Sequence, residues 1–194
     1  MLQPDDDKDL MALIQKGDHQ AFSTLVKRHT QKFFNLAFRS LHNEADAQDV
    51  VQNCFLKLWQ KPHMWSGNKN TKFTTWFYRV VLNACEDLRR KNKRNMHQDI
   101  DTFSEIYGEE ASQENGMVVS EDQLVLEKAI AGLPERQKEA LNLVVYEELK
   151  QKDAADVLGV GIKALESLLS RAKKTLKETL NKDQNREEKN YAAR

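Results

Sequence analysis

Apolar residues in this chain recur every three or four positions over most of its length, and no segment alternates apolar and polar side chains for long enough to build a sheet. Only seven Gly and three Pro are available to interrupt that pattern, so the chain is predicted to be nearly all α-helix. Its 194 residues allow one large domain or two small ones, and the charge pattern favours two. The net formal charge is zero, yet residues 69–94 hold eight Lys or Arg against Glu86 and Asp87, a net of +6. Residues 150–182 hold eight more against four acids, a net of +4, and residues 95–127 between them have nine acids and no Lys or Arg. A randomly decorated surface mixes the signs. Two basic modules around an acidic connector instead suggest two anion-binding sites, with phosphate backbones as the natural polyanion.

Several classes are disfavoured at the outset. The opening MLQPDDDKDL is acidic, and nowhere do 18 uninterrupted apolar residues occur, so neither a secretory leader nor membrane insertion is expected and the location is read as cytoplasmic. Cys54 and Cys85 sit inside helical apolar patterns and read as buried thiols. The five His residues show no metal-ligand spacing with them, and neither a metal nor a cofactor is expected.

Two amphipathic helices are predicted between Asp9 and about Ser40, carrying Leu10, Leu13, Ile14, Ala21, Phe22, Leu25, Val26, Phe33, Phe34, Ala37, Phe38 and Leu41, with a break at Gly17-Asp18. Asn43 suits the N-cap of a third helix ending near Pro62, loop chemistry continues to Lys72, and a fourth helix spans about Thr74 to Lys93. Residues from His97 to about Ser120 read as a flexible linker. Beyond it, Pro134 stands at the start of a helix carrying Ala140, Leu141, Val144 and Val145. A helix-turn-helix comes next, with Gly159 as the left-handed stop and Ile162, Leu165, Leu169, Ala172 and Leu176 as the core stripe of its second helix. The expected fold is all-α: a helical domain at 9–95, a linker at 96–122, a second helical domain at 123–182 and a polar tail at 183–194.

Three surfaces carry functional signal. Turning 100° per residue from Leu165 points Lys163, Ser167, Ser170, Lys174 and Lys177 outward, with Arg171 on the flank. In a helix-turn-helix such a helix enters the major groove, which makes Lys163, Ser167, Ser170 and Arg171 base-proximal and Lys173, Lys174 and Lys177 phosphate contacts. An ordinary hairpin with a solvated basic side would share the charges but has no need of the Gly turn. Asp46, Asp49, Gln52 and Asn53 form one polar side of the third helix, bordered by Leu56 and Trp59, a face suited to docking a partner helix. In the fourth helix, Phe73, Trp76, Phe77 and Tyr78 offer stacking surfaces for unpaired bases, and Arg79, Arg89, Arg90, Lys91, Lys93 and Arg94 offer phosphate contacts. Asn83 offers a donor and acceptor for a base edge. The competing expectation is that some of these aromatics, with Val80, are simply core.

These blocks together resemble bacterial sigma factors of the extracytoplasmic function group, in which two linked helical domains direct RNA polymerase to promoters. DAQDVVQNCFLKLW at 46–59 resembles the family's core-polymerase contact and FTTWFYRVVLNACEDLRR at 73–90 its minus-10 segment. LPERQKEALNL with ADVLGVGIKALESLLSRAKKTL resembles its minus-35 domain. The resemblance implies that Asp46, Asp49, Gln52, Asn53, Phe55, Leu56 and Trp59 meet the clamp helices of the polymerase beta-prime subunit, with the beta flap as a further contact. It implies that the loop from Ser66 to Thr71, with Asn68, Lys69 and Asn70, joins Asn83 in holding a flipped minus-10 base, while Arg79, Arg89, Arg90 and Lys93 track the strand. It also implies promoter DNA and an anti-sigma factor as partners, and no catalysis. A stand-alone helix-turn-helix regulator and a sigma mimic that sequesters an anti-sigma factor are the alternatives. Departures from the family pattern are Gln48 and Asn53 in place of acids, Lys150 and Gly161 in place of capping Ser, and Glu166 and Leu168 where bases are common.

Overall fold

A computed structural model describes residues 6–67, 71–98 and 121–192, with side chains described over 6–67, 71–94 and 125–181. Among the described residues there are eight α-helices and no strand. The chain divides into two compact units, Met1–Ala111 and Ser112–Arg194. Most of the expected linker, residues 99–120, lies outside the described residues.

In the first unit, α1 (Asp7–Ile14) is capped by Asp6, whose carboxylate accepts from the Lys8 amide at 3.1 Å. Gly17 takes φ +86°, a turn that a side chain would strain, and separates α1 from α2 (His19–Leu41). Asp18 caps α2 by accepting from the Gln20 and Ala21 amides at 2.8 and 3.0 Å. As the sequence predicts, Asn43 caps α3 (Glu44–Gln60), its Oδ1 accepting from the Asp46 amide at 2.9 Å. A short 3-10 turn, Pro62–Met64, precedes α4 (Phe73–Gln98), which runs several residues beyond the predicted end at Lys93. Helix α2 packs against α1, α3 and α4, with Phe33 fully buried where it meets α3 and α4. Its ring centroid lies 4.7 Å from Phe77, 5.1 Å from Tyr78 and 6.4 Å from Phe55, edge-on to each. Phe38, predicted to be core, is instead exposed and stacked on Phe34 with centroids 6.1 Å apart.

The second unit comprises α5 (Glu121–Ala131), α6 (Glu135–Leu141), α7 (Gln151–Leu158) and α8 (Ile162–Ala192). Its core joins Ile130, Leu133, Leu141 and Ala172, with Leu176 packed against them. Helix α8 continues through ten residues of the expected polar tail. A π-helical turn, Asn142–Tyr146, extends α6 and bonds the Glu147 amide to the Asn142 carbonyl at 3.0 Å. The wider turn rotates its residues out of α-helical register. Val145, expected on the core stripe, is therefore 53% exposed and Val144 only half-buried. Gly159 ends α7 at φ +66°, as predicted.

Lys150 occupies the N-cap of α7 with no side-chain hydrogen bond to the helix. Lys150→Ser supplies the missing acceptor and is expected to stabilise α7 by about 1 kcal/mol. Hydrogen exchange of the α7 amides should slow accordingly, and unchanged protection would contradict the assignment.

Candidate nucleic-acid and partner interfaces

On α3 the polar side forms as expected. Asp49, Gln52, Asn53 and Leu56 are exposed and Asp46 is half-buried, with Leu56 open over 49% of its surface. Phe55 does not project with them: it is buried, its ring 4.8 Å from Phe77, because it belongs to the apolar stripe facing α2 and α4. Trp59 lies half-buried under the rings of His19 and Phe22, at 4.5 and 5.0 Å.

Beside this face, α2 and α3 enclose an open, largely apolar groove of about 430 Å³. It is lined from α2 by Phe22, Val26, Thr30 and Phe34, and from α3 by Gln48, Val51, Gln52, Phe55, Leu56 and Trp59. The α2 contribution was missed in the sequence, although a signal for it exists. Phe22, Val26, Thr30, Phe34 and Phe38 recur every four residues, one position out of phase with the buried stripe of Ala21, Leu25, His29, Phe33 and Ala37. One neighbouring helix cannot cover both stripes.

The fourth helix separates into two halves around its axis. Phe73, Phe77 and Tyr78 are buried and Trp76 half-buried, so the first three are core and the expectation that they stack unpaired bases is corrected. Their spacing turns them toward Phe33 and Phe55, where edge contacts replace water. The opposite half keeps the predicted polar groups. Arg79, Asn83, Arg90 and Lys93 are exposed, and at 100° per residue they fall within an arc of about 80°. Arg90 forms an i,i+4 ion pair with Glu86.

Arg89 departs from its expected role. Its guanidinium donates to the Ser40 carbonyl and hydroxyl at 3.4 and 3.3 Å and is half-buried, tying α4 to the end of α2 rather than standing open for a phosphate. Asn68, Lys69 and Asn70, expected to help hold a flipped base, lie outside the described residues. The chain leading to them is anchored by Trp65, which is 7% exposed and meets Phe73 edge-on at 6.0 Å.

In the second unit every predicted DNA-facing residue of α8 is exposed: Lys163, Ser167, Ser170, Arg171, Lys173, Lys174 and Lys177. Behind them Leu165, Leu169 and Ala172 are buried. Ile162, predicted to begin that stripe, is 47% exposed, since it occupies the first turn of α8 and precedes the packed segment. Lys174 approaches Glu178 at 3.9 Å, an exposed pair that gains little in water and leaves the lysine available to a phosphate.

Cys54 and Cys85 are buried and form no disulfide, and desolvation pushes the Cys54 thiol up to about 11, so it stays protonated at neutral pH. Among the described residues no group of three or more His, Cys, Asp or Glu is placed to hold a metal ion. None of the described helices is long and apolar enough to cross a membrane.

Residues 25–95 match the family model of Sigma-70 region 2, and residues 123–176 that of Sigma-70 region 4. The RNA polymerase sigma-H factor of Pseudomonas aeruginosa is 29% identical over 188 residues, spanning 93% of this chain and 96% of that one. The ECF RNA polymerase sigma factor SigW of Bacillus subtilis is 25% identical over 175 residues, spanning 86% of this chain and 92% of its own length. The fold is shared with the sigma factor RpoE of Bartonella quintana, solved in complex with the anti-sigma factor NepR, at a TM-score of 0.66 and 23% identity over 82% of this chain and 96% of that one. Two region models in this order, together covering more than half of the sequence, decide the family: the chain belongs to the sigma-70 family of RNA polymerase sigma factors, in its extracytoplasmic function group.

Proposed function

We propose that the chain is a non-catalytic specificity subunit acting in the cytoplasm, with a different surface for each partner. The polar side of α3, from Asp46 to Trp59, and the adjoining groove dock core polymerase at its clamp helices. The outer arc of α4, which carries Asn83, holds the opened minus-10 strand, and the exposed face of α8 reads the minus-35 duplex. The beta flap and an anti-sigma factor complete the set of partners. The domain limits assigned to these tasks are 9–95 and 123–182.

The observation that carries this assignment is the amphipathic split of α8. A buried Leu165-Leu169-Ala172 stripe fixes the helix, and five cations with two serines remain in water on the other side. Such a helix can offer early residues to base edges and later cations to phosphates. Free operator binding would leave the α3 face and its groove without a use, and a sigma mimic would need neither basic arc. The test is transcription: the purified chain added to core polymerase should select and initiate from a subset of a promoter library. Initiation indistinguishable from that of core polymerase alone would sink the proposal.

A further inference from the structure

Helices α2 and α4 lie side by side and run in the same direction. His29 meets Phe73 with ring centroids 5.8 Å apart, and one turn further along both helices Phe33 meets Phe77 at 4.7 Å. Lys32 stands next to this contact, exposed on α2, with its ammonium 5.7 Å from the centroid of the Tyr78 ring. That ring is fully buried, so the aliphatic stem of Lys32 lies across the seam between α2 and α4 while its charge stays in water.

The same seam borders the basic arc on α4. At 100° per residue, Lys93 lies about 60° round the helix from Tyr78, Arg79 about 100° and Asn83 about 140°, all in one direction. Lys32 therefore continues the arc past its Lys93 edge, on the side away from Asn83, and at the axial level of Arg79. Other charges along this side are already engaged. Arg28, one turn before Lys32, is bonded to Asp7 at 2.9 Å, Arg89 is bonded to Ser40, and Glu86 is paired with Arg90. Lys32 meets no carboxylate among the described residues.

We propose that Lys32 is a phosphate contact for the opened strand, so that the strand-binding surface spans α2 as well as α4. This rests on assigning the opened minus-10 strand to the outer arc of α4. Asn83 meets a base from one edge of that surface and Lys32 meets the backbone from the other, which fixes the strand across the helix as well as along it. The Tyr78 ring restrains the long stem in advance, and less ordering entropy is then lost when a phosphate arrives. A phosphate contact carries no base information, so Lys32 contributes affinity and leaves selectivity to Asn83.

The test uses holoenzyme, assembled from the full chain and core polymerase, binding fork-junction templates whose minus-10 element is single-stranded and varies in one exposed base, at several salt concentrations. Lys32→Met keeps an apolar stem over Tyr78 and removes the charge, whereas Lys32→Arg keeps both. Lys16→Met is the control: it removes an exposed cation that precedes α2, about 20 Å along that helix from Lys32. The slope of log affinity against log salt is expected to be shallower by about 0.7 in Lys32→Met, the change for one phosphate contact on a single strand. Lys32→Arg and Lys16→Met should keep the wild-type slope, and Lys32→Met should keep the wild-type preference for the exposed base.

A wild-type slope in Lys32→Met would overturn the proposal, and a fall in its melting midpoint alone would reduce Lys32 to a cover for Tyr78. An equal loss of slope in Lys16→Met would overturn it as well, because the effect would then follow net charge rather than position. Base preference lost by Asn83→Ala, with the slope of Lys32→Met unchanged, would leave the minus-10 assignment standing without Lys32. A wild-type holoenzyme that prefers no base, joined to an unchanged slope in Lys32→Met, would overturn both.

Discussion

Asn83→Ala is expected to slow promoter opening by about thirtyfold, within the range set by losing a bidentate base contact worth roughly 1–3 kcal/mol. The side chain is exposed at one edge of the arc that it shares with Arg79, Arg90 and Lys93 on α4, so its removal leaves no cavity and no buried polar partner. Flipping a base out of the stack costs a few kcal/mol, and a directional contact to the base edge is what offsets it. The surrounding cations act differently. Removing Lys93 should weaken binding across sequences and flatten the salt dependence, because phosphate contacts carry no base information. Core-polymerase affinity of Asn83→Ala should stay within about twofold of wild type, since solvent-facing substitutions outside a contact change little. Opening rates tracked by a fluorescent base analogue in the minus-10 element, beside core affinity, check both halves. Equal loss in the two would place Asn83 in polymerase docking instead.

The legibility of each feature in the sequence depends on the distance over which that feature is set. Asn43 and Gly159 act within a few residues of themselves, and both perform the predicted job. The outward side of α8 is equally local, because 100° per residue carries Leu165 to Ser167 and Lys174 without reference to the rest of the chain. Arg89 shows the limit. A cation in a basic tract is a reasonable phosphate contact, but Ser40, its partner, lies 49 residues away and only the packing of α2 on α4 brings the two together. Val145 fell to a different cause: a single π turn breaks the period from which its burial was inferred.

The aromatic cluster was the most misleading local signal. Phe73, Phe77 and Tyr78 stand beside Arg79 in sequence, and that adjacency favours a nucleic-acid grip when no partner is known. Adjacent residues on a helix point about 100° apart, however, so a cluster this dense must place some rings inward. The inward rings need something aromatic or apolar to meet, and α2 supplies Phe33 while α3 supplies Phe55. Groups left outside by that packing, Asn83 among them, are the better candidates for touching DNA.

Phe33 should consequently be the most costly side chain to remove from the first unit. It is fully buried, with the rings of His29, Phe55, Phe77 and Tyr78 all within 6.4 Å, so neighbours from α3 and α4 lose a shared contact at once. Truncation of a buried Phe costs about 3–5 kcal/mol, transfer and cavity terms together. A unit of this size shifts its midpoint by about 4–8 °C per kcal/mol, which gives a fall of roughly 20 °C for Phe33→Ala. All three tryptophans, Trp59, Trp65 and Trp76, belong to the first unit, so fluorescence reports its melting alone. The core of the second unit, built on Ile130, Leu133, Leu141 and Ala172, contains none of these contacts. Hydrogen exchange of α8 should therefore remain at its wild-type protection while the fluorescence transition moves. If α8 lost protection in step with the fluorescence, the two units would be melting as one, and their independent cores would not be independent in stability.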